Sequence, residues 1–406
     1  MRVCFLGTYE KNYPRNQILL KALRRAGIEV IHCHIDIWKR KTHKTDMLKN
    51  AAYLLGFIGR LIFTYPFLWA SYLTQPRHDA VLIGYPGHID TLAMNWLVKL
   101  RRKPLIFDCF ISLYDSAAND RSLVKPGSFL ARLIFCLDRW ACRAADRVLL
   151  DTEAQIDYFS RTFNIERNRF VRIFAGADDE LFQTPSPSPL PLSGGEDKGE
   201  GVIYRVLFIG KFIPFHGIDT IVEAAKILQS HADIRLDFIG TGQLFEKIES
   251  KVKSLGLRNV KLHGWVEYGE LPAWIRQSDL CLGIFSNSEK ADRVIPNKIF
   301  QALACGKPVV TARTRAAREL LKENESAYFV SPENPGELAR VILEAARNQD
   351  LTERIGASGK RAFERSANLE VTGNQLKALF DPLTLPSPPA RGRGLKVRGF
   401  LWSVLL

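Results

Sequence analysis

Two rhythms of apolar positions alternate along this chain: short runs rich in Val, Ile, Leu and Phe, and longer stretches in which apolar residues return every three or four positions. The short runs at residues 3–7, 29–32, 80–84, 104–107, 147–151 and 170–174 predict strands in the first half. Those at 205–210, 235–240, 260–264, 280–285, 308–311 and 327–330 predict strands in the second. Between the latter, helical spacing covers 217–230, 243–255, 269–277, 296–305, 313–322, 335–347 and 351–366. Apolar runs without polar alternation belong to strands covered on both faces, and their regular exchange with helices implies βαβ units and parallel sheets. The fold class predicted is α/β, with two parallel-sheet domains facing a cleft.

Organisation follows from where the rhythm stops. The stretch 184–201, TPSPSPLPLSGGEDKGEG, is Pro-rich and then Gly-rich and charged, and cannot bury enough apolar surface to fold. Its composition returns in 382–399, PLTLPSPPARGRGLKVRG, so both are read as a duplicated, dispensable low-complexity element, with a functional partner-binding tail as the alternative. The division expected is 1–182 for a first, acceptor-binding domain, 183–203 for the linker or insert, 204–366 for a second domain, 367–381 for a helix returning to the first, and 382–406 for a basic tail. A length of 406 residues suits two such domains.

Residues 52–73, AYLLGFIGRLIFTYPFLWASYL, are nearly long and apolar enough to span a membrane but carry Arg60 and Pro66. Upstream stand Lys39, Arg40, Lys41, Lys44 and Lys49. A basic flank before an aromatic-rich apolar helix suits a segment lying in the membrane interface, making 39–73 the expected contact with an anionic membrane; a buried core helix and a spanning helix are the alternatives. The formal net charge of +14 favours an anionic partner without choosing one, and the tail supplies part of it. Seven scattered cysteines with no Cys-x-x-Cys, and a first strand where a signal peptide would stand, point to a reducing, cytoplasmic setting at the membrane face.

Candidate chemistry concentrates in the loops that follow strands, because ligands of open parallel sheets bind at the carboxyl ends of the strands. Residues 295–311, IPNKIFQALACGKPVVT, read as a loop, a short helix with Pro296 near its start and Gly306 at its stop, then a buried strand. A helix start directs free N–H groups and the positive dipole end outward, which suits a phosphate, and Lys298 and Gln301 share one helix face. Four further loops stand beside it: Gly210 to Gly217, Gly240 to Gln243, Gly264 to Val266, and Ser286 to Ile295.

The order Gly210-Lys211-Phe212-x-Pro214-x-His216-Gly217, Phe238-Ile239-Gly240-Thr241-Gly242, His263-Gly264-Trp265-Val266 and Ala302-x-Ala304-x-Gly306-Lys307-Pro308 resembles the nucleotide-sugar domain of family 4 glycosyltransferases, retaining enzymes of the GT-B architecture. The likeness covers roughly 205–365; the first domain agrees mainly in rhythm. It implies two Rossmann-like domains, glycosyl transfer, and a nucleoside diphosphate sugar as donor substrate with no further cofactor. Carried over, Lys211 meets the donor diphosphate, Gly210, Gly240, Thr241 and Gly242 lie beneath the nucleotide, Trp265 and Val266 hold the base, and Gln301 stands where a glutamate usually binds the ribose. Two positions depart from the family pattern: His216 replaces a lysine before Gly217, and Arg293 replaces the earlier glutamate.

A neutral His216 offers one donor and little charge, so Pro296, Asn297 and Lys298 form the expected replacement set. Arg293 accepts no hydrogen bond and would need a carboxylate or phosphate. No Asp-x-Asp occurs, so no metal site is expected, and Lys211 and Lys298 are assigned to the leaving diphosphate. In the first domain, His88 and Asp108 are the candidate catalytic groups, with a satisfied loop histidine and a buried hydrogen-bonding role as the alternatives. Residues 8, 9, 13, 15, 16 and 85 are expected to face the cleft.

The reading is a glycosyltransferase acting on a lipid-linked or polysaccharide acceptor of the cell envelope, with an inactive sugar-nucleotide-binding or scaffold protein of the same fold as the alternative. A nicotinamide enzyme is disfavoured because Gly240-Thr241-Gly242 lacks the third glycine. Nucleic-acid binding is disfavoured because no aromatic-interleaved basic module occurs.

Overall fold

The computed structural model describes residues 1–37, 51–183 and 203–381. The linker between Gln183 and Ile203, the tail 382–406 and the basic cluster of Lys39, Arg40, Lys41, Lys44 and Lys49 lie outside the described residues.

In the first domain the strands are β1 (Arg2–Gly7), β2 (Glu29–His34), β3 (Ala80–Ile83), β4 (Leu105–Asp108), β5 (Arg147–Leu150) and β6 (Phe170–Arg172), in the order β2-β1-β3-β4-β5-β6. In the second they are β7 (Tyr204–Ile209), β8 (Ile234–Ile239), β9 (Val260–Leu262), β10 (Leu280–Leu282), β11 (Val309–Ala312) and β12 (Tyr328–Val330), in the order β12-β11-β10-β7-β8-β9. All pairings within both sheets are parallel. Strands β3, β4 and β11 are buried at every position, which is why their sequences run apolar without alternation.

The predicted strands extend a little too far at their carboxyl ends. Gly210, Gly240 and Gly264 leave the ladder with φ of 152°, 132° and 69°, so the residues read as strand ends are the first residues of the site loops.

The helix Ala51–Thr74 keeps Pro66 inside it. Leu61, Tyr65, Leu68 and Tyr72 recur along one face and join the first domain's core. Among the described residues no helix is long and apolar enough to cross a membrane.

After the second domain's last long helix, Gln349–Ser366, the helix Leu369–Phe380 returns to the first domain. Its cap is Asn368, whose side chain accepts from Val371 N at 2.8 Å. Leu369, Leu376 and Phe380 pack with Ile18, Leu19 and Leu23 of the helix Pro14–Arg25. Gly373 permits the approach, since a Cβ there would stand 2.3 Å from Ala22 O.

Candidate active site

The second sheet reverses its winding between β7 and β10: β7 leads on to β8 on one side and β10 to β11 on the other. The diverging loops leave a crevice at this point, where ligands of open parallel sheets bind. Lys298, on the helix Asn297–Ala304, fills it from above. Its Nζ donates to Gly283 O at 3.3 Å and lies 3.7 Å from the centroid of the Phe208 ring. Among the described residues no carboxylate pairs with it, and burial pushes its ammonium well below the usual lysine range. Gly210 makes room, because a Cβ there would meet Lys298 Nζ at 2.9 Å and His216 Cε1 at 3.0 Å.

The helix bearing Lys298 starts at Pro296 without a side-chain cap, so Asn297 and Lys298 open it with backbone N–H groups toward the crevice. It ends as the sequence suggests: Gly306 N bonds to Leu303 O and Lys307 N to Ala302 O, both at 2.9 Å, with Gly306 at φ 73°. Lys298 and Gln301 share a face but serve opposite loops. Gln301 is buried and hydrogen-bonds to Tyr268, whose hydroxyl burial pushes up to about 12. Tyr268 and Val266 pack together at the β9 loop, and Trp265 stands exposed there. One helix thus links the loop expected for the diphosphate to the loop expected for the base.

His216 departs from its expected use. Its Nδ1 lies 2.5 Å from Lys211 O; a carbonyl only accepts, so Nδ1 carries the proton. Burial, reinforced by the charge of Lys298, pushes its pKa well below the ordinary value, leaving a neutral ring whose single N–H is already engaged. His216 therefore shapes the loop and has no N–H left for a phosphate. Lys211 is exposed at the mouth of the same loop.

The glycines expected beneath the nucleotide pack tightly against neighbouring backbone. A Cβ on Gly240 would stand 2.0 Å from Gly210 O, and one on Gly242 would stand 2.7 Å from Phe212 N. Thr241 accepts from Phe212 N through its carbonyl at 2.9 Å, and Gly217, at φ 65°, lies against the backbone of Ser286. These small residues press one loop onto the next, so the crevice has a fixed backbone floor.

Arg293 does not reach into the crevice. It belongs to the helix Glu289–Arg293, inside the span 286–295 expected as loop, where Ser288 is the cap and accepts from Ala291 N at 3.2 Å. Its guanidinium lies 3.8 Å over the Tyr158 ring, with Nη2 3.1 Å from Asp115 Oδ1, while its carbonyl accepts from Thr152 at 2.5 Å. Asp115, Thr152 and Tyr158 all belong to the first domain. Lys290 makes a parallel bridge, donating at 3.0 Å to both Asp120 and Ser116. The helix is an interdomain clasp directly upstream of Lys298, and Ser288 followed by Glu289 was its available sequence signal.

In the first domain, His88 and Asp108 are both buried, and His88 Nδ1 has no hydrogen-bond partner among the described residues. His88 Nε2 lies 3.0 Å from Asp138 Oδ1, and Asp138 also accepts from Ser112 Oγ and from the amides of Leu113 and Tyr114. Asp108 pairs with Arg15 at 3.0 Å, both side chains fully buried; burial pushes the carboxyl up while Arg15 opposes the shift. Arg15 also donates to the carbonyls of Ile173 and Phe174, and Asn16 bonds both backbone groups of Tyr85, so neither is a free cleft residue.

Two groups were missed. Asp90 sits at the first sheet's own winding reversal, between β1 and β3, accepting from Thr8 N at 2.9 Å and from Tyr65 OH at 3.0 Å; burial pushes it up to about 6. Its position in the first turn after β3 was the readable signal. Arg121 lies near enough to Tyr13, Tyr85 and His216 to act on all three, bringing a first-domain cation toward the second-domain loop; no local pattern marked it.

Residues 200–362 match the family described as glycosyl transferases group 1. An uncharacterized glycosyltransferase of Methanocaldococcus jannaschii is 25% identical over 59% of this chain and 67% of its own length. A D-inositol 3-phosphate glycosyltransferase of Thermomonospora curvata is 22% identical over 73% and 72%. Among solved structures, HepE of Anabaena in complex with UDP-glucose superposes with a TM-score of 0.66 at 16% identity, covering 93% of this chain and 99% of that one. Sucrose-phosphate synthase of Thermosynechococcus elongatus does so with 0.66 at 15%, covering 94% and 99%. The two sheets thus have the GT-B architecture, residues 200–362 match the glycosyl transferases group 1 family, and the protein is an enzyme of the glycosyltransferase class.

Proposed function

We propose that this enzyme moves a sugar, with retention at its anomeric carbon, from a nucleoside diphosphate sugar to a lipid-linked or polysaccharide acceptor of the cell envelope, working in the cytoplasm at the membrane face. The observation that carries the reading is Lys298, a buried amine unpaired with any carboxylate among the described residues, held beside an uncapped helix start at the winding reversal of the second sheet. A diphosphate supplies the missing negative charge. The complex of HepE with UDP-glucose supports a uridine nucleotide as the first donor to test.

As the bond between the anomeric carbon and the diphosphate oxygen breaks, its electron pair stays on the leaving group. The Lys298 ammonium and the first N–H groups of its helix stabilise that growing charge, with Lys211 at the mouth. Gln301, Tyr268, Val266 and Trp265 are assigned to the nucleoside. The new bond forms to an acceptor hydroxyl oxygen presented by the first domain, where Asp90, Arg121 and Tyr13 surround the facing loops, and the hydroxyl proton passes to the departing diphosphate oxygen. We assign the charge compensation to these cations without a metal, so turnover is expected to persist in a chelator.

The test is a thermal-shift series with UDP, GDP and ADP and their sugars on the parent, Lys298→Ala and Gln301→Ala. One nucleotide series is expected to raise the parent's Tm and to raise it less in both variants. If no nucleotide stabilises the parent, or if the variants respond as the parent does, the pocket is misassigned.

A further inference from the structure

Among the described residues, four helices cover one side of the first sheet. One, Glu153–Phe163, has its Glu153 and Asp157 paired with Arg167, and the other three lie side by side: Ala51–Thr74, His88–Leu100 and Phe129–Ala144. Each buries one face in the core, yet the opposite faces are also apolar. On the first, Ile62, Phe63, Phe67 and Leu73 are exposed, Phe63 by 75% and Phe67 by 71%. The second exposes Trp96 and Leu100, with Trp96 edge-on to Trp69 at 5.8 Å, which joins the two helices. The third exposes Leu133 and Trp140, and Phe129 by 83%. Single exposed apolar residues are ordinary, but a set spanning three adjacent helices, rich in Phe and Trp, marks an interaction surface.

Charge selects the occupant. The first helix has no carboxylate, and the only ones on the other two, Asp90 and Asp138, are buried and hydrogen-bonded inward. The exposed charges are all positive: Arg60, Lys99, Arg132 and Arg143. Aromatic side chains interleaved with basic ones and no exposed acid suit a surface with an apolar interior and an anionic skin. We infer that this three-helix face docks on an anionic lipid bilayer, with the aromatic residues at headgroup depth and the basic ones on the phosphates. This inference rests on the membrane-face reading above and extends it beyond residues 39–73 to two further helices.

The topology orients the docked enzyme. Each of these helices follows the carboxyl end of a strand, so its amino end lies at the cleft and its carboxyl end at the far edge of the sheet. The face therefore runs up to the cleft mouth, and a lipid-borne acceptor reaches the first domain without leaving the bilayer.

The test is co-flotation with vesicles of phosphatidylcholine alone or with phosphatidylglycerol, using the parent, Phe63→Asp/Phe67→Asp and Lys99→Glu/Arg132→Glu, with nucleotide-induced thermal shift as a separate readout. The parent is expected to float with the anionic vesicles and much less with the neutral ones. Each lost basic contact is expected to weaken partitioning about fivefold, and each reversed charge by more. Both variants are expected to stay at the bottom of the gradient with an unchanged nucleotide response. The inference is overturned if the parent ignores anionic vesicles, if both variants float as the parent does, or if the substitutions instead dissociate a dimer in light scattering. A lost nucleotide response in the parent would count against the donor pocket alone.

Discussion

Lys298 holds an amine where water is largely excluded and where no carboxylate is paired with it among the described residues, an arrangement that costs stability in the free protein. Its folded pKa lies below its unfolded one, so the folded state binds fewer protons in the window between them. Stability then rises with pH across that window. Lys298→Met is therefore expected to leave the free protein at least as stable as the parent at neutral pH, while costing nucleotide affinity about 1.5–3 kcal/mol, roughly ten- to hundredfold. Equilibrium denaturation and calorimetry read the two effects separately.

Asp151 provides the opposite sign. Burial raises its carboxyl from 3.8 to about 7, and its Oδ1 has no hydrogen-bond partner. A raised folded pKa contributes stability that is complete below the unfolded value and is lost as pH rises through the folded one. Between pH 4 and 7 the parent is expected to lose Tm more steeply than Asp151→Asn; parallel profiles would show that Asp151 does not titrate in this window. Asp108 differs because Arg15 answers it. Asp108→Ala strands that guanidinium and is expected to destabilise by about 3–5 kcal/mol. Denaturant titration checks this, and a catalytic loss without a stability loss would restore Asp108 as a catalytic group.

At the scale of elements, the strands were legible because their core-facing chemistry is local: a parallel strand covered on both faces must read apolar. The helix Asn297–Ala304 was legible for a similar reason, since Pro296 and Gly306 punctuate it. What the sequence concealed is where side chains spend their bonds. Nothing near His216 says that its N–H goes to Lys211 O, and nothing near Arg293 says that its partners are Asp115 and Tyr158, more than a hundred residues away. Gly240 reads as a ligand loop, yet its missing side chain admits Gly210 O. Gly373 lies inside a helix, where its missing side chain admits Ala22 O. Gly373→Ala is expected to force the helix Leu369–Phe380 away from Pro14–Arg25 and to cost about 1–3 kcal/mol. Limited proteolysis of the carboxyl-terminal helix reads this out, and unchanged protection would show that the contact is not needed to hold it.

Across the whole molecule, the described residues tie the two domains in at least three places: the returning helix, the clasp, and Glu319, whose carboxylate accepts from Glu153 N at 2.8 Å and Ala154 N at 2.9 Å. The returning helix packs Leu369, Leu376 and Phe380 on the first domain, and the clasp of Lys290 and Arg293 on Asp120 and Asp115 fixes the segment before Lys298. The clasp couples first-domain position to the donor pocket. Lys290→Met with Arg293→Met is accordingly expected to raise KM for the donor more than it lowers kcat, as steady-state kinetics would show; an unchanged KM would detach the clasp from the pocket.

The central claim is that a diphosphate completes the charge of Lys298. Isothermal titration of UDP at mildly alkaline pH, in two buffers of different ionisation enthalpy, measures both affinity and proton uptake. The account predicts that UDP binds the parent with uptake of a proton by Lys298, and that Lys298→Met loses the uptake and roughly ten- to hundredfold in affinity. Equal affinity in parent and variant, with no proton taken up by either, would contradict it.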